Sequence, residues 1–91
     1  TTLVSTTFDS SNNKVVIAYQ DDGNSSYGTA IVGTVSGTSI SFGSATVFNS
    51  GRTEYLSATF DSNLNKVVIA YTDSNDSNKG KAMRWFLNRL L

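Results

Sequence analysis

One segment of this chain occurs twice. Residues 7–19, TFDSSNNKVVIAY, return as residues 59–71, TFDSNLNKVVIAY, at an offset of 52. At that offset residues 1–30 match residues 53–82 at 17 of 30 positions, whereas the nine pairs from Ile31/Met83 to Ser39/Leu91 match at none. A chain that repeats itself folds as repeated units, each burying its faces on the next. A period of this length, filled with β-branched residues and short turn signals, predicts an all-β chain of about two propeller-like blades. Residues 1–52 are expected to form a first, four-stranded blade. Residues 53–91 are expected to form a second, incomplete one, with a divergent basic and apolar tail over 83–91.

Four strand signals fit the first unit: Leu3 to Phe8, Lys14 to Tyr19, Thr29 to Val35 and Ser39 to Phe48. KVVIAY at 14–19 is a nearly continuous apolar run and predicts a strand buried on both faces. In the fourth, Ile40 and Phe42 alternate with Ser39 and Ser41, as in a half-exposed edge strand, and Gly43 suits a bulge or bend. The connections carry turn chemistry: Asp9–Asn13, Asp21–Ser26 and the tight Ser36-Gly37-Thr38, with Asn49–Arg52 leading into the second unit. That unit repeats two strands as Tyr55–Phe60 and Lys66–Tyr71, and Gly80-Lys81-Ala82 aligns with the start of the third. Residues 83–91 read either as a strand with Met83, Trp85 and Leu87 on one face, or as a short helix. The register inherited from Gly80 favours a strand through about Leu87, although helix propensity opposes it.

Composition narrows function by exclusion. The chain has no histidine and no cysteine. It therefore lacks the commonest general base and metal ligand, disulfides, and any Ser/His or Cys/His pair. A non-enzymatic role with no cofactor and no metal site is expected. Net charge is zero but uneven: residues 1–78 carry three bases against seven acids, and residues 79–91 carry four bases and no acid. A basic tail lying on an acidic body accounts for this without nucleic-acid or membrane binding. No apolar run approaches the ~20 residues of a membrane span, and no signal peptide is visible at Thr1. The Ser/Thr/Asn/Gly-rich polar positions suit extracellular or virion surfaces, with the compartment left open. Asn24-Ser25-Ser26 and Asn75-Asp76-Ser77 fit the glycosylation sequon, as Asn/Ser-rich loops do by chance.

Candidate ligand-binding residues come from the loops and from aromatics near them. Asp21, Asp22 and Asn24 occupy one loop, and Asp73 and Asp76 the equivalent one. Both loops are rich in oxygen ligands of the kind calcium takes, but neither has the spacing of a calcium loop: Asn78 stands where glycine is required. Tyr27, Tyr55 and Trp85 are candidates for stacking on a sugar ring, and Arg52, with Glu54, for hydrogen bonds to it. Asp9/Asp61 and Asn13/Asn65 read as closures of the first hairpin. Tyr19 and Tyr71 read as core or blade-to-blade packing. The VVIAY segment is aggregation-type, flanked by Lys14 and Asp21 as charged gatekeepers.

The pattern F-D-x-x-x-N-K-V-V-I-A-Y-x-D over Phe8–Asp21 and Phe60–Asp73, with YGTAIVGTVSGTSISFG over Tyr27–Gly43, resembles a family of tandem β-propeller repeats in phage and marine or cyanobacterial surface proteins. The resemblance covers about half the chain, implies the propeller fold, and carries no catalytic signature. The chain departs from it at Met83–Leu91.

A propeller takes about four to eight blades, so fewer than two per chain implies self-assembly, closed rings being usual. Three chains would give six blades. The small residues of LVSTTF and YLSATF would line the central channel, and Trp85 with Phe86 would cap the edge left by the missing outer strand. Loss of identity at residue 83 is equally open to truncation or a reading-frame change. The expected function is a binding or adhesion module, with carbohydrate as its ligand class. A purely structural piece of a virion or surface assembly is the alternative. A propeller glycosidase requires a placed carboxylate pair, and the sequence fixes no separation between Asp21 and Asp73.

Overall fold

The computed structural model describes residues 2–86, the side chains of Trp85 and Phe86 excepted. Seven strands follow in chain order: β1 (Thr2–Asp9), β2 (Lys14–Asp21), β3 (Tyr27–Ser36), β4 (Ser39–Phe42), β5 (Thr46–Asp61), β6 (Lys66–Asp73) and β7 (Lys79–Phe86). All pairing is antiparallel, in the order β1-β2-β3-β5-β6-β7, with β4 beside β3. The all-β meander expected from the repeat is the fold of the chain. No helix among the described residues is long and apolar enough to cross a membrane.

Turn chemistry sets the corners. Asp9 Oδ1 accepts hydrogen bonds from the Ser11 and Asn12 amides, and Asp61 Oδ1 accepts from the Asn63 and Leu64 amides. Asn13 and Asn65 close the same two hairpins at φ of 59° and 55°, a region asparagine tolerates better than most residues. Gly37 supplies the positive φ of the β3–β4 turn.

Two boundaries differ from the sequence reading. The expected fourth strand is broken at residues 43–45, so β4 ends at Phe42. Thr46 instead begins a 16-residue strand that runs through the supposed Asn49–Arg52 connection into the second unit. Polar turn residues at 49–52 suggested a loop; cross-strand pairing of Asn49 with Gly28 and Arg52 with Tyr27 outweighs that local preference.

The first part of β5 pairs with β3 and the second part with β6, which turns the meander back on itself into two layers. One layer contains β1–β4 and the start of β5; the other contains the rest of β5 with β6 and β7. The principal extents are 41 × 30 × 18 Å, the shortest of which suits two stacked layers about 10 Å apart. The core between them is Val16, Ala18, Ala30 and Val32 from the first layer against Val67 and Ile69 from the second, with Phe48, Leu56, Ala58, Phe60, Tyr71 and Met83 packed around it. Phe48 and Tyr71 meet edge-on at 5.2 Å between ring centroids. A side-chain bond crosses the layers where the Ala58 amide donates to Ser5 Oγ at 3.0 Å.

The two units match position for position. Ser5 pairs with Ala18 and Ala18 with Ala30; at the offset of 52, Ser57 pairs with Ala70 and Ala70 with Ala82. The register shift between Thr2 and Ser5 recurs between Glu54 and Ser57, with Leu3 and Tyr55 at φ of 53° and 51°. The expectation that KVVIAY is buried on both faces is corrected. In β2 the Val16/Ala18/Gln20 face is buried and the Val15/Ile17/Tyr19 face is half-exposed. In β6 the Val67/Ile69 face is buried, while Val68 is half-exposed and Ala70 exposed. Each strand lies in an outer layer of a two-layer stack, so only one of its faces meets protein.

Candidate functional site

The candidate residues gather around the middle of β5. Asp21 pairs with Tyr27 across β2 and β3, and Tyr27 pairs with Arg52 across β3 and β5. Asp22 and Asn24 lie in a single 3-10 turn, Asp22–Asn24, which Asp21 caps by accepting from the Gly23 amide at 3.1 Å. The turn is tied to β5, because the Thr53 amide donates to the Ser26 carbonyl. The other loop abuts the opposite side of this segment: Thr53 pairs with Asp73, and the Ser74 amide donates to the Arg52 carbonyl. Gly51 permits the approach, since a Cβ there would stand 3.1 Å from Asp73 Oδ1. Continuous pairing of β5 to both β3 and β6 thus places two loops, 52 positions apart in sequence, on either side of Gly51–Glu54.

The electrostatics divide this rim into two parts. On one side Arg52 Nε donates to Glu54 Oε1 at 2.6 Å, with Arg52 largely exposed. This bond holds the Glu54 carboxyl below its ordinary value, against a smaller opposing effect of desolvation. Glu54 first, and the field of Asp22 among lesser causes, holds Arg52 protonated. Arg52 thus sits within the field of the 3-10 turn's Asp22, and Tyr55, 74% exposed, follows one residue beyond Glu54 on the bulge.

On the other side Lys81 Nζ lies 3.0 Å from Asp73 Oδ2 and 2.9 Å from Asp76 Oδ2. Asp73 is held below its ordinary carboxylate value chiefly by the Lys81 hydrogen bond, and Lys81 is raised by Asp76 and then Asp73. Both carboxylates therefore have cationic partners from their own hairpin. Trp85 falls in β7, and its side chain lies outside the described residues.

Sequence reasoning missed two contributors. Lys81 aligns only with Thr29 of the first unit; it pairs with Tyr71 across the β6–β7 hairpin, and its diagonal reach to Asp73, the partner of Lys79, is what local sequence does not show. Gln20 is buried, donates from Nε2 to the Thr53 carbonyl at 2.8 Å and accepts from Thr2 Oγ1 at 2.7 Å. It fastens β2 under the rim, and nothing in its local sequence marks that. Among the described residues no group of three or more acidic side chains converges as a metal cage would require, and no cavity is enclosed.

Acid should loosen this end of the molecule and the first hairpin together. Burial of Asp9 opposes its ionisation, but the hydrogen bonds from Asn12 and Ser11 outweigh burial and lower its pKa. A carboxyl lowered in the folded state stabilises fully above its unfolded value and loses that contribution as pH falls through its folded value. The same sign holds for Asp73. Stability measured by urea denaturation is therefore expected to fall progressively below about pH 5. Asp9→Asn is expected to lower stability at neutral pH and to make the acid limb shallower; an unchanged limb would exclude Asp9 as a contributor.

Comparison of the chain with protein-family models, curated proteins and solved structures returns no match.

Proposed function

We propose that the protein is a non-enzymatic β-propeller binding or adhesion module of the tandem-repeat kind, assembled from several chains and recognising glycans through the rim around β5. The observation that carries this reading is the exposed Tyr55, held at φ of 51° beside the Arg52–Glu54 pair. A bulge re-aims a side chain, and a positive φ at a tyrosine costs energy that the fold sustains here. The first unit has the same bulge with Leu3, so the backbone belongs to the repeat and the aromatic side chain to this position. An apolar ring with adjacent charged hydrogen-bonding groups is chemistry suited to a sugar face and its hydroxyls. Three chains would close a six-bladed ring and present three such rims, so that weak contacts add into firm attachment.

A structural role without a small ligand is the second reading. It is favoured by the pairing of Asp73 and Asp76 with Lys81 and by the absence of a cleft among the described residues. A glycan array probed with the full chain separates the two. Binding that is lost in Tyr55→Ala and retained in Leu3→Ala is expected for the adhesion module. A clean negative, with the assembled protein present, assigns the structural role.

A further inference from the structure

We infer that the outer face of the first layer binds the outer face of the second layer of another copy of this chain, repeating head-to-tail the contact that joins the layers within one chain. The inference rests on the assembly part of the function proposed above and on none of its ligand chemistry.

Each unit carries one KVVIAY strand, at Lys14–Tyr19 and Lys66–Tyr71. The two have the same sequence, the same register to their neighbours and opposite buried faces. Inside the chain, the Val16/Ala18 face of the first unit packs against the Val67/Ile69 face of the second, with Ala30 and Val32 on one side and Ala58 and Phe60 on the other. The residues equivalent to each half of this interface recur on the free surfaces. The second unit carries Val68, Ala70 and Ala82 where the first has Val16, Ala18 and Ala30; Ala18 and Ala30 are fully buried, while Ala70 and Ala82 are exposed. The first unit carries Thr6, Phe8, Val15 and Ile17 where the second has Ala58, Phe60, Val67 and Ile69. Phe8 is 51% exposed, although its equivalent Phe60 packs on the core.

Register places further apolar groups on that outer face. Val15 pairs with Gly33, Gly33 with Phe42 and Val35 with Ile40, so these side chains share one side of the sheet with Phe8 and Ile17. Val35, Ile40 and Phe42 are 54%, 44% and 50% exposed. A contiguous apolar face of this kind marks an interaction surface. Its occupant is specified by the interface already present: a surface equivalent to the one that covers Phe60 and Ile69 is available on every other copy. The bond from the Ala58 amide to Ser5 Oγ has its intermolecular equivalent between the Thr6 amide of one copy and Ser57 of the next. Arg84 stands where Val32 does, and its aliphatic stem can lie along the contact with the charge at the margin.

A contact between two different faces is heterologous and propagates until a ring closes or a filament grows. The test uses two full-length variants, each damaging one exposed face: Phe8→Lys for the first layer and Ala70→Arg for the second. Size-exclusion chromatography with light scattering gives the mass, and far-ultraviolet circular dichroism with thermal melts checks folding. Phe42→Lys replaces Phe8→Lys if that variant does not fold, and Ala82→Arg replaces Ala70→Arg on the same terms. The expected result is an assembly larger than a monomer for the unmodified chain, a monomer for each variant alone, and a dimer when the two are mixed, since one undamaged contact then remains.

A monomeric unmodified chain at its highest soluble concentration overturns the inference. So does an Ala70→Arg variant that assembles normally, which would show two first-layer faces meeting each other, or a mixture that stays monomeric. Assembly without glycan binding would remove the adhesion reading and leave this contact standing.

Discussion

Replacing Ile69 with alanine is expected to destabilise the fold by about 2–5 kcal/mol, the range for truncating a fully buried aliphatic side chain. Ile69 is 1% exposed and is among the largest fully buried side chains, between the two layers. A domain of this size has about 5–15 kcal/mol of stability in total, and small domains sit toward the lower end. The loss should lower the melting temperature by more than about 10 °C. The informative control is Ile17→Ala, the same substitution at the equivalent position of the first unit. Ile17 is half-exposed on the outer face, so its truncation should cost about 1 kcal/mol or less in a chain that has no neighbour. Both substitutions are to be made in the Ala70→Arg background, where no second copy covers Ile17, and followed by thermal and urea denaturation. Equal losses at the two positions would contradict the packing described above.

A second pair of equivalent positions is expected to respond with opposite signs. Gly28 lies under the ring of Phe48: a Cβ built there stands 2.7 and 2.8 Å from two ring carbons and 2.9 Å from Thr53 Oγ1. Gly28→Ala should therefore displace Phe48 from its contact with Tyr71 and cost about 1–3 kcal/mol through overpacking. Gly80 is its equivalent in the second unit, and a Cβ there meets nothing within 4 Å. Gly80→Ala should be neutral or stabilise by up to about 1 kcal/mol, by reducing the freedom of the unfolded chain. Thermal melts of the two variants, made like the first pair in the Ala70→Arg background where no second copy covers Gly80, decide the matter; a stabilised Gly28→Ala would mean that Phe48 has room to move.

Sequence and structure agree where the physics is local. The hairpins at Asp9–Asn13 and Asp61–Asn65 were legible, because an aspartate that accepts neighbouring amides and an asparagine at positive φ make the turn whatever lies around them. The strand at β7 followed from the register of Gly80-Lys81-Ala82 as far as Phe86; the expected continuation to Leu87, and the rest of the tail through Leu91, lie outside the described residues. The continuity of β5 was not legible. Asn49–Arg52 has loop composition, and only its partners on β3 make it a strand. The candidate site divided along the same line. Which loops carry its acceptors could be read from composition; that both loops flank one segment of β5, and that Lys81 holds Asp73 and Asp76, required the fold.

The period of 52, the strand segments outside residues 43–52 and the turn residues are fixed by the chain itself, since alternation and turn chemistry act over a few residues. The face each strand buries is not. Residues 14–19 and 66–71 are the same six amino acids, so no local rule distinguishes them, and they bury opposite faces because one unit has its neighbour on one side and the other has it on the other. Only the stacking of the layers breaks that symmetry.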